Sequence, residues 1–292
     1  MSYTSKLFRG AALLIPLLCT GTLLFTCTLL FSSTLLAAPL VIPILSDYPI
    51  DTELTSQTLN GNVLHALERH SGGQFEFKPQ VMPQSRAWKY IEENDACIFN
   101  QIKTPERESK ASFTKFPVTL YPPIRLIISD GDRRWPTVFD PQAFNLPPNV
   151  QIGTVAGHSY GTRLDAAIAA HPQQFFRRTG TESSFRLNDM LVAGRIDAVL
   201  NYAVAVQVYL DEHHPGFKFN ALPIKGAEQG VEGFIVCSAT DAGRDMAALI
   251  NGVFAQKAMQ ADFVRFHQQI YQGSEQSWLG SEFRRLKLPE AE

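Results

Sequence analysis

The chain of 292 residues lacks the features that mark several large classes of protein. It has 26 lysines and arginines against 28 aspartates and glutamates, so it has no basic excess with which to bind nucleic acid. It contains no C-x-x-C, H-x-x-x-H or H-E-x-x-H spacing, and its neighbouring histidines, His213 and His214, do not form a metal motif. We therefore expect no bound metal and no cofactor.

Charge is also missing from a long run near the N-terminus. Lys6 and Arg9 precede Ala11–Ala38, which contains no charged residue and ends in small side chains at Ala37 and Ala38. This order of features is typical of a secretory signal peptide. We predict a signal peptide over residues 1–38, cleaved after Ala37 or Ala38, and a periplasmic protein. An uncleaved membrane anchor is the alternative, because the run is long enough to span a bilayer. No second long apolar run follows.

Two cysteines, Cys97 and Cys237, lie beyond this run, and each is inside a short apolar segment. In an exported protein two thiols can pair, because the compartment is oxidising. Cysteine is also a common inert core residue. The residues by themselves leave both interpretations open.

Strand-like and helix-like patterns alternate along the rest of the chain, which indicates an α/β fold with mainly parallel sheets. Proline- and glycine-rich stretches around Tyr121-Pro122-Pro123 and Gly226–Gly233 divide the pattern and indicate two lobes. We predict strands at 40–45, 75–81, 96–101, 125–129, 150–155, 196–200, 217–221 and 234–237. We predict helices at 62–69, from Ser85 as N-cap through Ile91, through 164–168, at 183–194, and over two closing segments at 246–254 and 263–270.

The segment Ala96–Arg107 is the most informative for function. Its apolar run ends in polar residues at the carboxyl end of a predicted strand, where ligands bind in open α/β sheets. The guanidinium of Arg107 offers a planar set of donors that fits a carboxylate with two hydrogen bonds. The alternative is a solvated arginine paired with Glu106 or Glu108.

The order of these segments over residues 39–272 resembles the extracellular solute-binding proteins of family 3. The matching segments are Leu40–Pro49, Asp95–Arg107 with its T-x-x-R ending, Gly153–Gly161 and Gly194–Val199. The resemblance implies an α/β, two-lobed type II periplasmic-binding-protein-like fold with a central ligand cleft. It places lobe 1 at residues 39–120 and 232–292, and lobe 2 at residues 121–231.

The resemblance also implies a function. Such a protein is a monomer that captures a small polar, carboxylate-bearing, amino-acid-like ligand by lobe closure, and it serves an ABC importer permease or a membrane sensor. It is not an enzyme.

The family's site residues map onto this sequence. Arg107 would bind the ligand carboxylate, the residues just before it would donate hydrogen bonds, and Tyr48 would stack on the ligand. The helix opening at Ser159 would bind anionic groups. The acid that receives the ligand ammonium in amino-acid binders falls at Tyr202, a departure that argues against a standard α-amino acid. The predicted ligand-binding residues are Tyr48, Arg86, Asn100, Gln101, Ile102, Arg107, Ser159, Asn201 and Tyr202.

The same family topology inserts the strand that follows the second crossing next to the third strand, antiparallel to it. Cys97 and Cys237 would then lie on neighbouring strands. We expect two buried thiols near each other, with a disulfide as the alternative, because a slip of one residue turns a side chain to the other face.

A serine hydrolase is the competing function. Gly157-His158-Ser159-Tyr160-Gly161 fits the G-x-S-x-G nucleophile elbow between a strand and a helix. Asp197 and a later histidine, from His213, His214 and His267, supply the order of a triad. No HG-rich oxyanion loop precedes the motif, and this interpretation leaves Arg107 without a role. A lyase on the binding-protein scaffold would need an acid–base pair in the cleft, and the sequence shows no convincing one.

Overall fold

The computed structural model describes residues 38–50, 58–271 and 274–289, so the predicted signal peptide lies outside the described residues. The strands are β1 (Leu40–Ser46), β2 (Phe75–Val81), β3 (Cys97–Gln101), β4 (Ser112–Phe113), β5 (Thr119–Tyr121), β6 (Arg125–Ser129), β7 (Ile152–Val155), β8 (Phe175–Arg178), β9 (Ala198–Asn201), β10 (Phe219–Leu222) and β11 (Val231–Cys237). The helices are α1 (Leu59–His70), α2 (Gln84–Glu93), α3 (Pro105–Glu108), α4 (Thr162–Ala170), α5 (Ser183–Val192), α6 (Ala203–His213), α7 (Asp241–Phe254), α8 (Lys257–Ile270) and α9 (Ser274–Arg285).

The first lobe is built on a sheet with the order β2-β1-β3-β11-β4, and β5 also pairs with β11. Strands β1, β2 and β3 are parallel, whereas β11 runs antiparallel to β3, β4 and β5. The second lobe is built on a sheet with the order β10-β6-β9-β7-β8. Here β7 is parallel to β8 and β9, and β6 is antiparallel to β9 and β10. Both sheets are mixed, so the prediction of mainly parallel sheets was wrong in this detail.

Each sheet has a buried core on both faces, which is why its strands are apolar almost throughout. In the first lobe, α1, α7, α8 and α9 pack on one face against side chains such as Ile42 and Phe99, while α2 packs on the other against Leu45 and Ile98. In the second lobe, Leu164 of α4 packs on one face, and α5 and α6 pack on the other. Each lobe is therefore a three-layer unit with its own core.

The chain passes between the sheets twice, from β5 to β6 and from β10 to β11. The first passage is three residues long, from Pro122 to Ile124, and two of these residues are prolines. Helix α9 lies against the second passage, since a Cβ on Gly230 would fall within 2.1 Å of the Trp278 ring. The lobe boundaries predicted near residues 120 and 231 stay a prediction.

Cys97 and Cys237 form a disulfide. They are direct partners in the antiparallel pairing of β3 with β11, with their Cα atoms 3.9 Å apart, and both are fully buried. The expected arrangement of two free thiols was therefore wrong, and the alternative was right. The register decides this, because it points both side chains to the same face of the sheet.

Several elements differ from the sequence prediction. Helix α2 begins after Pro83 without a side-chain cap, so Ser85 is not its N-cap. Strand β8, helix α6 and the closing helix α9 were not predicted. Helix α6 has no clear apolar face in its sequence Ala203–His213, which is why a search for helical periodicity passes over it. Among the described residues, no helix is both long and apolar enough to cross a membrane.

Candidate functional site

A cavity of about 310 Å³ lies between the two lobes. Its walls come from the segments that follow β1, β3, β7 and β9, namely residues 47–50, 100–102, 158–160 and 201–202. These are the carboxyl ends of the parallel strands, where α/β sheets place their ligands. Residues of α5 and the aromatic side chains of both lobes complete the lining.

The lobes touch each other at the rim of this cavity. The amide of Glu182 donates to the carbonyl of Asp47 at 2.6 Å, and the Arg107 Nη2 donates to the carbonyl of Gly157 at 2.7 Å. Gly157 has a φ of +86°, and a Cβ there would come within 2.7 Å of the Ser85 backbone nitrogen. The cleft is therefore closed, and it closes only because residue 157 has no side chain.

Arg107 lies on α3, a single turn that Thr104 caps by accepting the Arg107 amide. Its Nη1 donates to the Ile102 carbonyl at 3.1 Å, and its guanidinium lies 4.7 Å from the centre of the Trp88 ring. Burial lowers its pKa to about 10, opposed by the charge of Asp165. Arg107 therefore stays cationic at neutral pH and is held at the junction of the lobes.

The polar side chains before Arg107, at Asn100 and Gln101, form hydrogen bonds to other side chains of the protein. Asn100 has a φ of +57°, and its side chain accepts from the Thr119 hydroxyl at 2.6 Å and donates to the Tyr121 hydroxyl at 3.2 Å. Gln101 accepts hydrogen bonds from Gln84 and from the Trp88 indole. These bonds fix the loop that carries the Ile102 carbonyl, and the Trp88 bond also orients the ring on which Arg107 stacks.

Aromatic rings form much of the cavity wall. Tyr48 lies 6.0 Å from Phe185 across the cleft, and its hydroxyl accepts a hydrogen bond from Asn60. Tyr121 and Tyr202 stack with their centres 4.4 Å apart. Burial raises the pKa of Tyr48, Tyr121 and Tyr202, so all three stay neutral. The wall can stack on a flat or apolar part of a ligand.

The ionisable groups of the cavity are few. Among the described residues that line it, Arg107 is the one lysine or arginine, and Asp47 and Glu182 are the acids. Burial raises the pKa of Asp47 to about 6. The His158 Nε2 lies 4.0 Å from the Asp47 Oδ2. Burial lowers the pKa of His158 to about 4, so its imidazole is uncharged at neutral pH. At neutral pH, Asp47 is thus a buried carboxylate facing an uncharged imidazole.

The Ser159 side chain is hydrogen-bonded to the helix that follows it, α4. Its hydroxyl donates to Asp165 Oδ2 at 2.5 Å and accepts from the Gly161 amide, while the Tyr160 amide donates to Asp165 Oδ1 at 2.8 Å. The carboxylate of Asp165, in the first turn of α4, thereby occupies the Tyr160 amide, and the Ser159 hydroxyl occupies the Gly161 amide, at the helix opening that the resemblance assigned to an anionic ligand group.

The triad of the competing hydrolase does not form. The Ser159 hydroxyl bonds a carboxylate rather than an imidazole, and Asp197 accepts from the Gln151 amide and pairs with Arg134. His214 bonds Asp189, and His267 is buried in the first-lobe core. Without a histidine to take its proton, Ser159 is not an activated nucleophile.

The structure brings eight of the nine predicted residues to the cavity and leaves one outside. Arg86 is exposed on α2 and does not line the cavity, whereas Gln84 of the same helix does. The lining residues that the sequence prediction did not include comprise Asp47, His158, Glu182 and Asn188, several aromatic side chains, and other polar and apolar residues. Asp47 and His158 directly flank predicted residues and could have been included on that ground. Glu182 and Asn188 carry no signal in the sequence.

Comparison with solved structures finds the same architecture. A putative L-cystine ABC transporter protein from Listeria monocytogenes shares 13% identity, covers 80% of this chain and 96% of its own, and has a TM-score of 0.60. An ancestral arginine-binding protein bound to arginine has 11% identity, coverage of 81% and 99%, and a TM-score of 0.60. This chain has the two-lobed fold of these binding proteins. Likeness at this identity shows the fold, and no family model and no curated protein matches the chain.

One structure with the same fold is a binding protein that preceded an enzyme. The ancestral amino-acid-binding protein that preceded a cyclohexadienyl dehydratase has 11% identity, coverage of 80% and 95%, and a TM-score of 0.55. A binding-protein fold thus does not by itself exclude catalysis.

Proposed function

We propose that this protein is a periplasmic solute-binding protein that captures a small, carboxylate-bearing, amino-acid-like ligand by closing its two lobes. The observation that carries the proposal is the position of Arg107, the one lysine or arginine among the described cavity-lining residues, with its guanidinium reaching both lobes. A carboxylate in the cavity would find a bidentate partner in a site shielded from water.

The cavity fits this class of ligand in size and chemistry. About 310 Å³ holds a small molecule rather than a peptide or a polymer. Neutral tyrosines supply stacking surfaces and hydroxyl groups, and Arg107 supplies the charge. The structural neighbours include an amino-acid ABC transporter substrate-binding protein from Streptococcus pneumoniae bound to L-arginine, with 12% identity, coverage of 80% and 97%, and a TM-score of 0.56. That likeness supports an ABC importer as partner, with a membrane sensor as the second choice.

The remaining features of the proposal follow from the same likeness. The predicted signal peptide would export the chain, and the mature protein would act as a monomer. Lobe 1 would comprise residues 39–120 and 232–292, and lobe 2 residues 121–231. The protein would not be an enzyme, and the bond from the Ser159 hydroxyl to Asp165 instead of a histidine argues against the hydrolase alternative.

Thermal unfolding of the chain from residue 38 tests the proposal. The probes are the twenty standard L-amino acids, L-cystine, and the dicarboxylates succinate and glutarate. A ligand at a hundred times its dissociation constant should add about 2.7 kcal/mol to the free energy of unfolding. Turnover of an ester substrate that Ser159→Ala abolishes would favour the hydrolase, and a full panel of carboxylates without any stabilisation would contradict the proposal.

A further inference from the structure

One buried polar atom in the cavity wall has no hydrogen-bond partner among the described residues. Asn188 is 2% exposed, and its Oδ1 makes no hydrogen bond to any described residue. Four other side chains have a buried polar atom in the same condition, namely His65, Arg163, Arg178 and Trp278, and none of them lines the cavity. Asn188 does line it. Buried acceptors are nearly always paired in folded proteins, so this atom calls for a partner from outside the chain.

The helix that carries Asn188 explains why it faces the cavity. On α5, Leu187 and Leu191 pack into the second-lobe core. Ser184 and Asn188 are four residues apart, so they lie on one face of the helix, and both line the cavity. The neighbouring Asp189 bonds Tyr209 and His214 instead. The fold therefore uses the residues on either side of Asn188 and leaves the Asn188 Oδ1 without a hydrogen-bond partner, in a side chain that lines the cavity.

The surroundings indicate the kind of group that would bind there. A second buried acceptor in the cavity wall is the Asp47 carboxylate, whose side chain is 5% exposed and has no lysine or arginine among the described residues as an ion-pair partner. Tyr202 also lines the cavity, and its ring is stacked on Tyr121. An amino group entering the cavity would find acceptors in the Asp47 carboxylate and the Asn188 amide oxygen.

We propose that Asn188 is a ligand-binding residue whose Oδ1 accepts a hydrogen bond from an amino group of the ligand. The ligand is then an amino carboxylate that meets Arg107 with its carboxylate and Asn188 with its amino group. This inference rests on the proposed function and names its ligand class. Because Asn188 belongs to the second lobe and Asp47 to the first, the amino group also contacts both sides of the closed cleft.

Calorimetric titration of three variants tests the inference with the same panel of amino acids and amine-free dicarboxylates. Asn188→Leu keeps the approximate volume and removes the acceptor, so it should weaken binding of the best amino acid at least tenfold while leaving unliganded thermal stability unchanged or raised. Asn188→Asp keeps an acceptor of the same shape and should bind as tightly as the original protein or more tightly. Asn251→Leu is the control: its Oδ1 accepts from the Lys115 amide outside the cavity, so its loss should lower stability and leave binding unchanged.

Each contrary outcome has a distinct meaning. Unchanged affinity in Asn188→Leu overturns the role of Asn188 and leaves the proposed function standing. An equal loss of affinity in Asn188→Asp shows that the amide nitrogen donates, and it overturns the acceptor role. Tightest binding by succinate or glutarate overturns the amino carboxylate as ligand class. Failure of every probe to bind the unaltered protein removes the proposed function and this inference together.

Discussion

Arg107 shows how one side chain can both close the cleft and bind what is inside it. Its guanidinium has five N–H donors, and protein carbonyls at Ile102 and Gly157 receive hydrogen bonds from its two terminal nitrogens. Donors remain for a ligand. Stacking on Trp88 fixes the plane of the guanidinium, so less side-chain freedom is lost when a carboxylate binds.

Arg107→Ala should weaken binding of the best carboxylate by about 2–5 kcal/mol, because it removes the charged partner from a desolvated site. Calorimetric titration measures the loss directly. Arg86→Ala is the matched control, since Arg86 is exposed on a neighbouring helix and outside the cavity. Equal affinities for the two variants would eliminate Arg107 as the anchor.

Asp47 should make the unliganded protein less stable as the pH rises. Burial raises its pKa from 3.8 to about 6, so the folded state binds a proton that the unfolded state has released. The free energy of unfolding therefore falls between about pH 4 and pH 6, and the full effect is on the order of 3 kcal/mol. His158 and His267 act in the opposite sense, because burial lowers their pKa to about 4 and their folded forms resist protonation.

Asp47→Asn separates these contributions. The difference in free energy of unfolding, variant minus original, should grow from about pH 4 to pH 6 and stay constant above it, since the histidines are common to both proteins. Denaturant unfolding at half-unit steps of pH measures it. A difference that does not vary with pH would show that Asp47 has an ordinary pKa.

At the scale of the elements, the loop between β7 and α4 controls how closely the lobes approach. Gly157 and Gly161 both have φ near +90°, where a side chain is strained. Only Gly157 meets the other lobe, at Ser85 of α2, whereas a Cβ on Gly161 would have no atom within 4 Å. The two glycines therefore share a backbone requirement and differ in their position relative to the cleft.

This difference gives a matched pair of variants. Gly157→Ala and Gly161→Ala should lower stability by a similar amount, about 1 kcal/mol, because each places an alanine at positive φ. Gly157→Ala should also weaken ligand binding and reduce the contraction that a ligand produces in small-angle scattering, since the new methyl group holds the lobes apart. Ligand-induced contraction of equal size in both variants would mean that this contact does not limit closure.

At the scale of the whole molecule, the disulfide joins two strands of the first-lobe sheet, and the second lobe is formed by chain that lies between them in sequence. Cys97 on β3 and Cys237 on β11 are separated by 140 positions, and the whole second sheet lies between them. The bond fixes the start of β3 next to the end of β11, the strand that returns from the second lobe. Cys97 is the first residue of β3, and the carboxyl end of that strand leads into the segment that carries Arg107.

Loss of this disulfide should be costly. For a loop of this length the chain-entropy model gives about 4–5 kcal/mol, from constraint of the unfolded state. The double variant Cys97→Ala, Cys237→Ala in the chain from residue 38 should lose roughly that amount in denaturant unfolding. Thiol titration of the same denatured, unreduced chain with both cysteines present should find no free thiol, and two free thiols would show that the bond is absent.

The sequence by itself determined many of the elements and the general place of the site. Apolar runs ending in polar residues became β1, β3 and β9, and the cavity lies at their carboxyl ends, as the position of Arg107 indicated. This succeeds because burial on both faces of a sheet forces a continuous apolar pattern that stops where the strand ends.

The tertiary structure alone decided the partners. The register of β3 and β11 placed Cys97 opposite Cys237. The orientation of helices α2 and α5 left Arg86 exposed and made Asn188 a lining residue of the cavity. The first turn of α4 brought Asp165, instead of a histidine, to the Ser159 hydroxyl. Arg107 meets Gly157 across 50 positions of sequence. Such contacts depend on side-chain direction to within one residue of register or a third of a helical turn, which local periodicity does not specify. They arise only when the two lobes come together.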